Sequence, residues 1–243
     1  MIIVSFLEKS LLYLCDMEKC ETIKAPQLND FKSLDSSMLQ QLKDGSQFIF
    51  IPKGRMVFKE GQQLTKLYCL EDGACKFSKM DTAGHEHILK LLGKGELLGK
   101  RSLISHQGAK VSARTLKDSR FWAMDRGVIQ KAINENPKFC KQLLFALTDD
   151  LNQSEHSRVL FSSSKGIRQR LASLLLYLND KFGINTDGEL ALQLKREDMA
   201  AILGTSPEYI INILKEFKSQ NLISTSKTRI KIISTAALEK RFS

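Results

Sequence analysis

Between Phe48 and Trp122 the chain runs in short β-prone stretches, FIFI, KLYCL, CKFS, HILKLL and RFWAM, separated by turns that carry glycine. Apolar and polar positions that alternate over roughly four to eight residues between turn signals predict half-buried strands. Gly54, Gly61, Gly73, Gly84, Gly93, Gly95 and Gly99 punctuate the runs at intervals suited to a small antiparallel roll or barrel. Such a domain exposes apolar faces that a lid or partner helix must cover.

After Asp125 the period changes. Cys140, Leu144, Leu147, Leu151, Ser154, Arg158 and Phe161 recur at alternating steps of four and three, which predicts a helix from about 137 to 161 with one apolar seam. Two uses of that seam are open: pairing with a second copy, with Leu144, Leu147 and Leu151 as contacts, or packing on the chain's own β domain. The run SSSKG at 162 to 166 breaks the period and predicts a hinge. Beyond it, 167 to 182 is amphipathic and helical, and a turn-rich connector with Asn185 and Asp187 leads to ELALQL. Residues 3 to 17 predict a further short amphipathic helix packed on the body, its apolar run interrupted by Glu8 and Lys9.

Residues 194 to 234, LKREDMAAILGTSPEYIINILKEFKSQNLISTSKTRIKIIS, divide into helix, tight turn, helix and two-stranded wing. Met199, Ile202 and Leu203 form the apolar face of the first helix, and Gly204 supplies a left-handed stop that a Cβ would strain. Ser206 is placed to cap the second helix, Pro207 suits its first position, and Glu208 complements the positive end of its dipole. Ile210, Ile213, Leu214 and Phe217 form the buried stripe, leaving Glu208, Tyr209, Asn212, Lys215 and Lys218 outward. A helix with that polar face fits a major groove. There Glu208 could accept from cytosine N4 and Asn212 could pair with adenine, while Arg196, Lys215, Lys227, Arg229 and Lys231 meet phosphates.

Charge agrees with a polyanionic partner. The chain of 243 residues carries a formal +10, and residues 165 to 243 hold 13 basic and 8 acidic side chains against 24 and 19 in the first 164. Both parts are +5, so the C-terminal third is about twice as dense in positive charge. With 42% hydrophobic residues there is ample material for buried cores. Cys15, Cys20, Cys69, Cys75 and Cys140 form an odd set without metal-site spacing, which fits a reducing cytoplasm rather than a disulfide framework. No stretch approaches membrane-spanning length, and no membrane partner is expected. Nor can a phosphate loop, metal cluster or nucleophile–base group be assembled, Ser105 beside His106 being sequence neighbours only, so no enzyme is expected.

At 194 to 234 the chain resembles the cyclic-AMP receptor protein/Fnr (Crp/Fnr) family of bacterial transcription regulators. The likeness extends back through the long helix to PKGRMVFKEGQ, YCLEDGACKFSKMDTAGHEHIL and GKGELLGKRSL, about four-fifths of the chain. It implies an α+β fold: an N-terminal cyclic-nucleotide-binding-type β-roll (double-stranded β-helix), a long dimerisation helix and a C-terminal winged helix-turn-helix. The corresponding divisions are 1–30 as a helical arm, 31–136 as sensor, 137–164 as dimerisation helix and hinge, and 165–243 as DNA-binding domain. The partners it implies are a pseudo-palindromic operator in double-stranded DNA, a second copy of the chain as homodimer, and RNA polymerase. Ser206 joins the DNA-contacting set on the same likeness.

Several positions depart from the family pattern. Nucleotide-responsive relatives hold ribose and cyclic phosphate with a Gly-Glu pair and a later Arg-Ser pair. Here Gly99 is followed by Lys100 and Arg101, and Lys110, Val111 and Ser112 stand at the second place. The ribose loses its carboxylate acceptor and the phosphate its bidentate clamp, so cyclic AMP is not the expected ligand. Gly99, Lys100, Arg101, Ser102, Lys110 and Ser112 remain as a pocket for another anion, or as surface cations beside a vestigial site. An iron–sulfur cluster of the oxygen-sensing branch is not expected from Cys15 and Cys20 alone. Haem is not expected either, since His85 and His87 read as a polar hairpin pair; no cofactor or metal is expected. Arginines that read guanine in the family are matched by Pro207 and Asn212, with Glu208 retained, which predicts an altered operator. The alternative function is a cyclic-nucleotide or small-anion sensor acting through protein contacts, separated from the first by the salt dependence of DNA binding.

Overall fold

A computed structural model of the chain describes residues 40, 42, 44–104, 107–160 and 166–242. The helix expected at 3 to 17, Cys15 and Cys20, the Ser105–His106 neighbours, Phe161 and the hinge up to 165 lie outside the described residues, as do the side chains of Ser154 and Arg158. The expected strand runs form β1 (Ser46–Ile51), β3 (Lys66–Asp72), β4 (Cys75–Met80), β5 (Glu86–Leu92) and β8 (Ser119–Asp125). Three short strands join them: β2 (Met56–Phe58), β6 (Leu97–Leu98) and β7 (Ser112–Thr115), with a one-turn helix α1 (Lys100–Ile104) between β6 and β7. All pairings are antiparallel, in two four-stranded sheets ordered β1-β8-β3-β6 and β2-β7-β4-β5. Alternate residues point into the roll, where Phe58, Leu70, Cys75, Leu92, Leu98 and Phe121 form an apolar interior. Each such side chain contributes about 1.5–3 kcal/mol by leaving water.

The covering helices come from the next stretch. Asp125 caps α2 (Arg126–Glu135) by accepting from the Gly127 N–H at 2.7 Å, and α3 (Pro137–Leu160) follows. Phe139 of α3, with Ile129 and Ala132 of α2, closes the outer side of the first sheet over Leu67, Cys69 and Leu97. Leu143 and Ala146 are also buried. On the other side of α3, Leu144, Phe145 and Leu151 are exposed by 55%, 59% and 53%. The chain's own β domain therefore takes the flank of the helix and leaves the seam residues Leu144 and Leu151 uncovered, with Leu147 between the extremes.

The last part comprises α4 (Ile167–Phe182), α5 (Arg196–Leu203), α6 (Pro207–Ser219), a wing of β9 (Ile223–Ser226) and β10 (Arg229–Ile232), and α7 (Thr235–Phe242). Leu171, Leu174, Leu175 and Leu178 of α4 meet Met199, Leu203, Ile210, Phe217 and Leu238 in one core. That core continues into the roll through Ala74, Ile88, Leu91 and Leu116. Polar ties frame the junction. Lys76 of β4, only 4% exposed, holds Glu86 of β5 and Asp198 of α5 at 2.7 Å each, and Lys181 of α4 donates to the Leu91 carbonyl at 2.9 Å. A buried ammonium is tolerable only with such partners.

Candidate nucleic-acid interface and sensor cavity

The turn between α5 and α6 has the local chemistry expected of it. Gly204 adopts φ 61°, ψ 51°, the left-handed conformation, and α6 starts at Pro207. The Ser206 hydroxyl accepts from the Tyr209 N–H at 3.2 Å. Ile210, Ile213, Leu214 and Phe217 are buried. In the first helix Met199 and Leu203 are buried as expected, but Ile202 is only partly covered and Ala200 takes the inner place.

Consequently Glu208, Tyr209, Asn212, Lys215 and Lys218 all stand exposed along one side of α6. Ile211, 40% exposed on the same side, was not singled out by the periodicity because an isoleucine there reads as core. The Glu208 carboxyl is held below the usual carboxylate range by its own backbone N–H and then by the Ser206 hydroxyl, so at neutral pH it is an acceptor. Arg168 of α4 is a further cation beside this face that sequence reasoning missed, 2.8 Å from Glu216. Its partner lies 48 residues away, and no local pattern could have paired them.

The wing brings Lys227 and Arg229 to the same end of the molecule. Lys227, exposed, sits at φ 54° in the two-residue turn between β9 and β10. Arg196, expected as a phosphate contact, is half-buried and donates to the Lys227 carbonyl at 3.0 Å, bracing the wing against α5. Arg229 lies 3.6 Å from Glu189, and Lys231 donates to the Asp187 carbonyl at 3.2 Å, so the connector holds the wing's far strand.

A cavity of about 510 Å³ lies where the roll, α3 and α5 meet. Gly99, Lys100, Arg101, Ser102 and Lys110 line it together, as expected. Ser112 does not; its hydroxyl turns to accept from the Glu60 N–H at 3.0 Å. Phe58, Phe77 and Leu151 make apolar wall, and Ile202 and Leu203 close one side. Arg170 of α4 pins that side by donating to the Leu203 carbonyl at 2.8 Å.

The cations here are not all surface groups. Lys100 is 8% exposed and its Nζ lies 2.8 Å from Asp150 Oδ2, while Lys90 lies 2.7 Å from the other oxygen, Oδ1. Burial by itself would raise the Asp150 carboxyl, but Lys100 and Lys90 outweigh it and hold the group below its ordinary value. Lys90 also meets Glu96 at 3.2 Å, and Glu96 meets Lys181 at 2.9 Å. Arg101 and Lys110 are exposed.

Cys69 and Cys75 are buried, and burial, aided by Glu96 and opposed by Ser119, pushes the Cys75 thiol up to about 12, so it is protonated at neutral pH. His85 and His87 both approach Asp81 Oδ2, at 3.3 and 2.9 Å. Among the described residues no group of three His, Cys, Asp or Glu is arranged to hold a metal, and no helix is long and apolar enough to cross a membrane.

Residues 169–241 match the Crp-like helix-turn-helix domain family and residues 48–136 match the cyclic nucleotide-binding domain family. The chain is 26% identical over 215 residues to a CRP-like cAMP-activated global transcriptional regulator of Mycobacterium tuberculosis, covering 87% of this chain and 95% of that protein. It is 27% identical over 195 residues to the global nitrogen regulator of Synechococcus elongatus, covering 79% and 87%. Among solved structures, FixK2 from Bradyrhizobium japonicum superposes with a TM-score of 0.71 at 19% identity, over 80% of this chain and 96% of the other.

Proposed function

The chain belongs to the Crp/Fnr family of sequence-specific DNA-binding transcription regulators, and from that premise we propose which of its surfaces perform the task. Two copies pair through Leu144, Leu147 and Leu151 of α3 and present two α6 helices to a pseudo-palindromic duplex. Inside each half-site Glu208 accepts from cytosine and Asn212 bonds adenine, while Ile211 and Tyr209 cover the apolar edge of thymine. Lys215, Lys218, Lys227, Arg229 and Arg168 meet the phosphates and set the register. Ser206 contributes by capping α6, and Arg196 by positioning the wing. The single observation that supports this reading is the outward face of α6, which carries Glu208, Asn212, Lys215 and Lys218 exposed beside a basic wing.

The operator differs from one read by arginines, because Asn212 cannot reproduce a bidentate guanine contact worth about 1–3 kcal/mol of discrimination. Cyclic AMP is not the ligand of the cavity: Lys100 meets the ribose side with a cation, and Val111 supplies no phosphate clamp. No iron–sulfur cluster, haem, metal or catalytic step is part of the proposal. The protein works in the cytoplasm and acts on transcription by contact with RNA polymerase.

Selection of bound genomic fragments by the purified protein at two salt concentrations tests the whole. Recovery of a shared inverted-repeat site, bound far less tightly at the higher salt, supports it. A best ligand with guanine at the arginine-read positions, or binding insensitive to salt, would overturn it.

A further inference from the structure

The ion pairs around Asp150 carry a consequence for how the sensor is set. Asp150 belongs to α3, yet both its carboxylate oxygens are taken by lysines of the roll, Oδ1 by Lys90 of β5 at 2.7 Å and Oδ2 by Lys100 of α1 at 2.8 Å. All three side chains are largely shielded, with exposures of 13%, 8% and 21% for Lys90, Lys100 and Asp150. Two convergent ammonium groups form a site for a small oxyanion. Here that oxyanion is a side chain of the same protein. From it the ion pairs continue through Lys90 to Glu96 and through Glu96 to Lys181 of α4, so one network touches the cavity, the long helix and the DNA-binding domain. Glu96 is itself fixed by the Gly93 N–H at 2.7 Å.

We propose that Asp150 is the resident anion of the sensor cavity, a tethered carboxylate that holds α3 on the roll and makes DNA binding independent of an external anionic effector. An external anion reaching Lys90 and Lys100 must displace a carboxylate whose effective concentration is set by the fold itself, and free ligands at ordinary levels lose that competition. With the carboxylate removed, the two shielded ammonium groups lose the counter-ion they share, Lys90 keeping Glu96 at 3.2 Å, and the place of the carboxylate opens to a small external anion. The part that concerns DNA rests on the reading above; the part that concerns the anion does not.

The test uses full-length protein, comparing wild type with Asp150→Ala and Asp150→Asn at constant ionic strength. Two readouts are taken: thermal midpoint, and affinity for a fragment recovered in the genomic selection. Cyclic AMP, inorganic phosphate and acetate serve as probes. Wild type is expected to keep its affinity within twofold with each probe and to show no saturable rise in midpoint. Asp150→Ala is expected to melt lower and bind DNA at least tenfold more weakly, with both recovered saturably by acetate. Asp150→Asn, which keeps the shape and fills the space, is expected to be weakened without acetate rescue. A tenfold gain in wild-type affinity with any probe overturns the proposal, as does a wild-type affinity in Asp150→Asn; the latter decides the matter if Asp150→Ala does not fold. If no genomic fragment binds wild type, the DNA-binding reading fails, and acetate rescue of the midpoint still decides the resident anion.

Discussion

Replacing Lys76 by methionine tests the junction between the roll and the DNA-binding domain. The ammonium is 6% exposed at the side chain and holds two carboxylates at 2.7 Å, Asp198 with 13% of its side chain exposed and Glu86 with 32%. Methionine keeps the apolar stem and strands the acids. Leaving a buried charge without its partner costs about 3–5 kcal/mol. Two features reduce that cost here. Glu86 retains water, and Asp198 sits in the first turn of α5, where the helix N-terminus offsets about 0.3–1 kcal/mol. The expected loss is therefore about 3 kcal/mol, toward the lower end of that range. For a chain of this size that corresponds to a thermal midpoint lower by roughly 6–12 °C. Calorimetry measures it, with urea unfolding followed by far-ultraviolet circular dichroism as a second probe. Asp198→Asn and the double variant complete a cycle in which contacting partners should show a coupling above about 0.5 kcal/mol. A loss below about 1 kcal/mol in Lys76→Met, or additivity in the cycle, would refute the reasoning that this triad bears on docking.

Simultaneous replacement of Glu208, Asn212 and Lys215 by alanine should abolish preference for the selected operator over random duplex in a gel-shift titration, while Lys227→Ala should weaken all sequences alike and lower the salt slope by about one. Glutamate at both Leu147 and Leu151 should separate the protomers in sedimentation and weaken binding to a two-half-site duplex far more than to a single half-site; a variant that stays dimeric would place the interface elsewhere. Stability should fall with acid. Asp150 and Glu86 titrate lower in the folded chain than in the unfolded one, so the unfolded state binds more protons, and their contribution is present above about pH 4 and lost as pH falls through the folded values. Urea midpoints between about pH 3 and pH 7 should show a shallower acid limb in Asp150→Asn than in wild type, and identical limbs would refute the assignment.

Legibility followed locality. The helix-turn-helix was readable because Gly204, Ser206 and Pro207 set its turn by backbone conformation and capping, interactions that span only a few residues. The five long strand runs were readable for the same reason, while β2, β6 and β7, two to four residues each, were too short for a period of two to register. The stripe rule placed α6 correctly, and Ile202 does pack against the core, though only half-covered beside the cavity.

Charge pairing was decided elsewhere. Asp150 meets Lys90 across 60 residues, and Asp198 meets Lys76 across 122. In the sequence each of these reads as one more solvated charge on a polar face. Arg196 likewise reads as a phosphate contact, and only the fold of the wing turned it toward a carbonyl. By itself, then, the sequence determined the longer elements, the turn and cap that start α6 and the outward face of α6, because apolar periodicity and backbone stereochemistry act over one or two turns of chain. Which ions share a buried site was settled only when the roll, the long helix and the DNA-binding domain came together, since a Coulomb partner is chosen by distance through space and by exclusion of water.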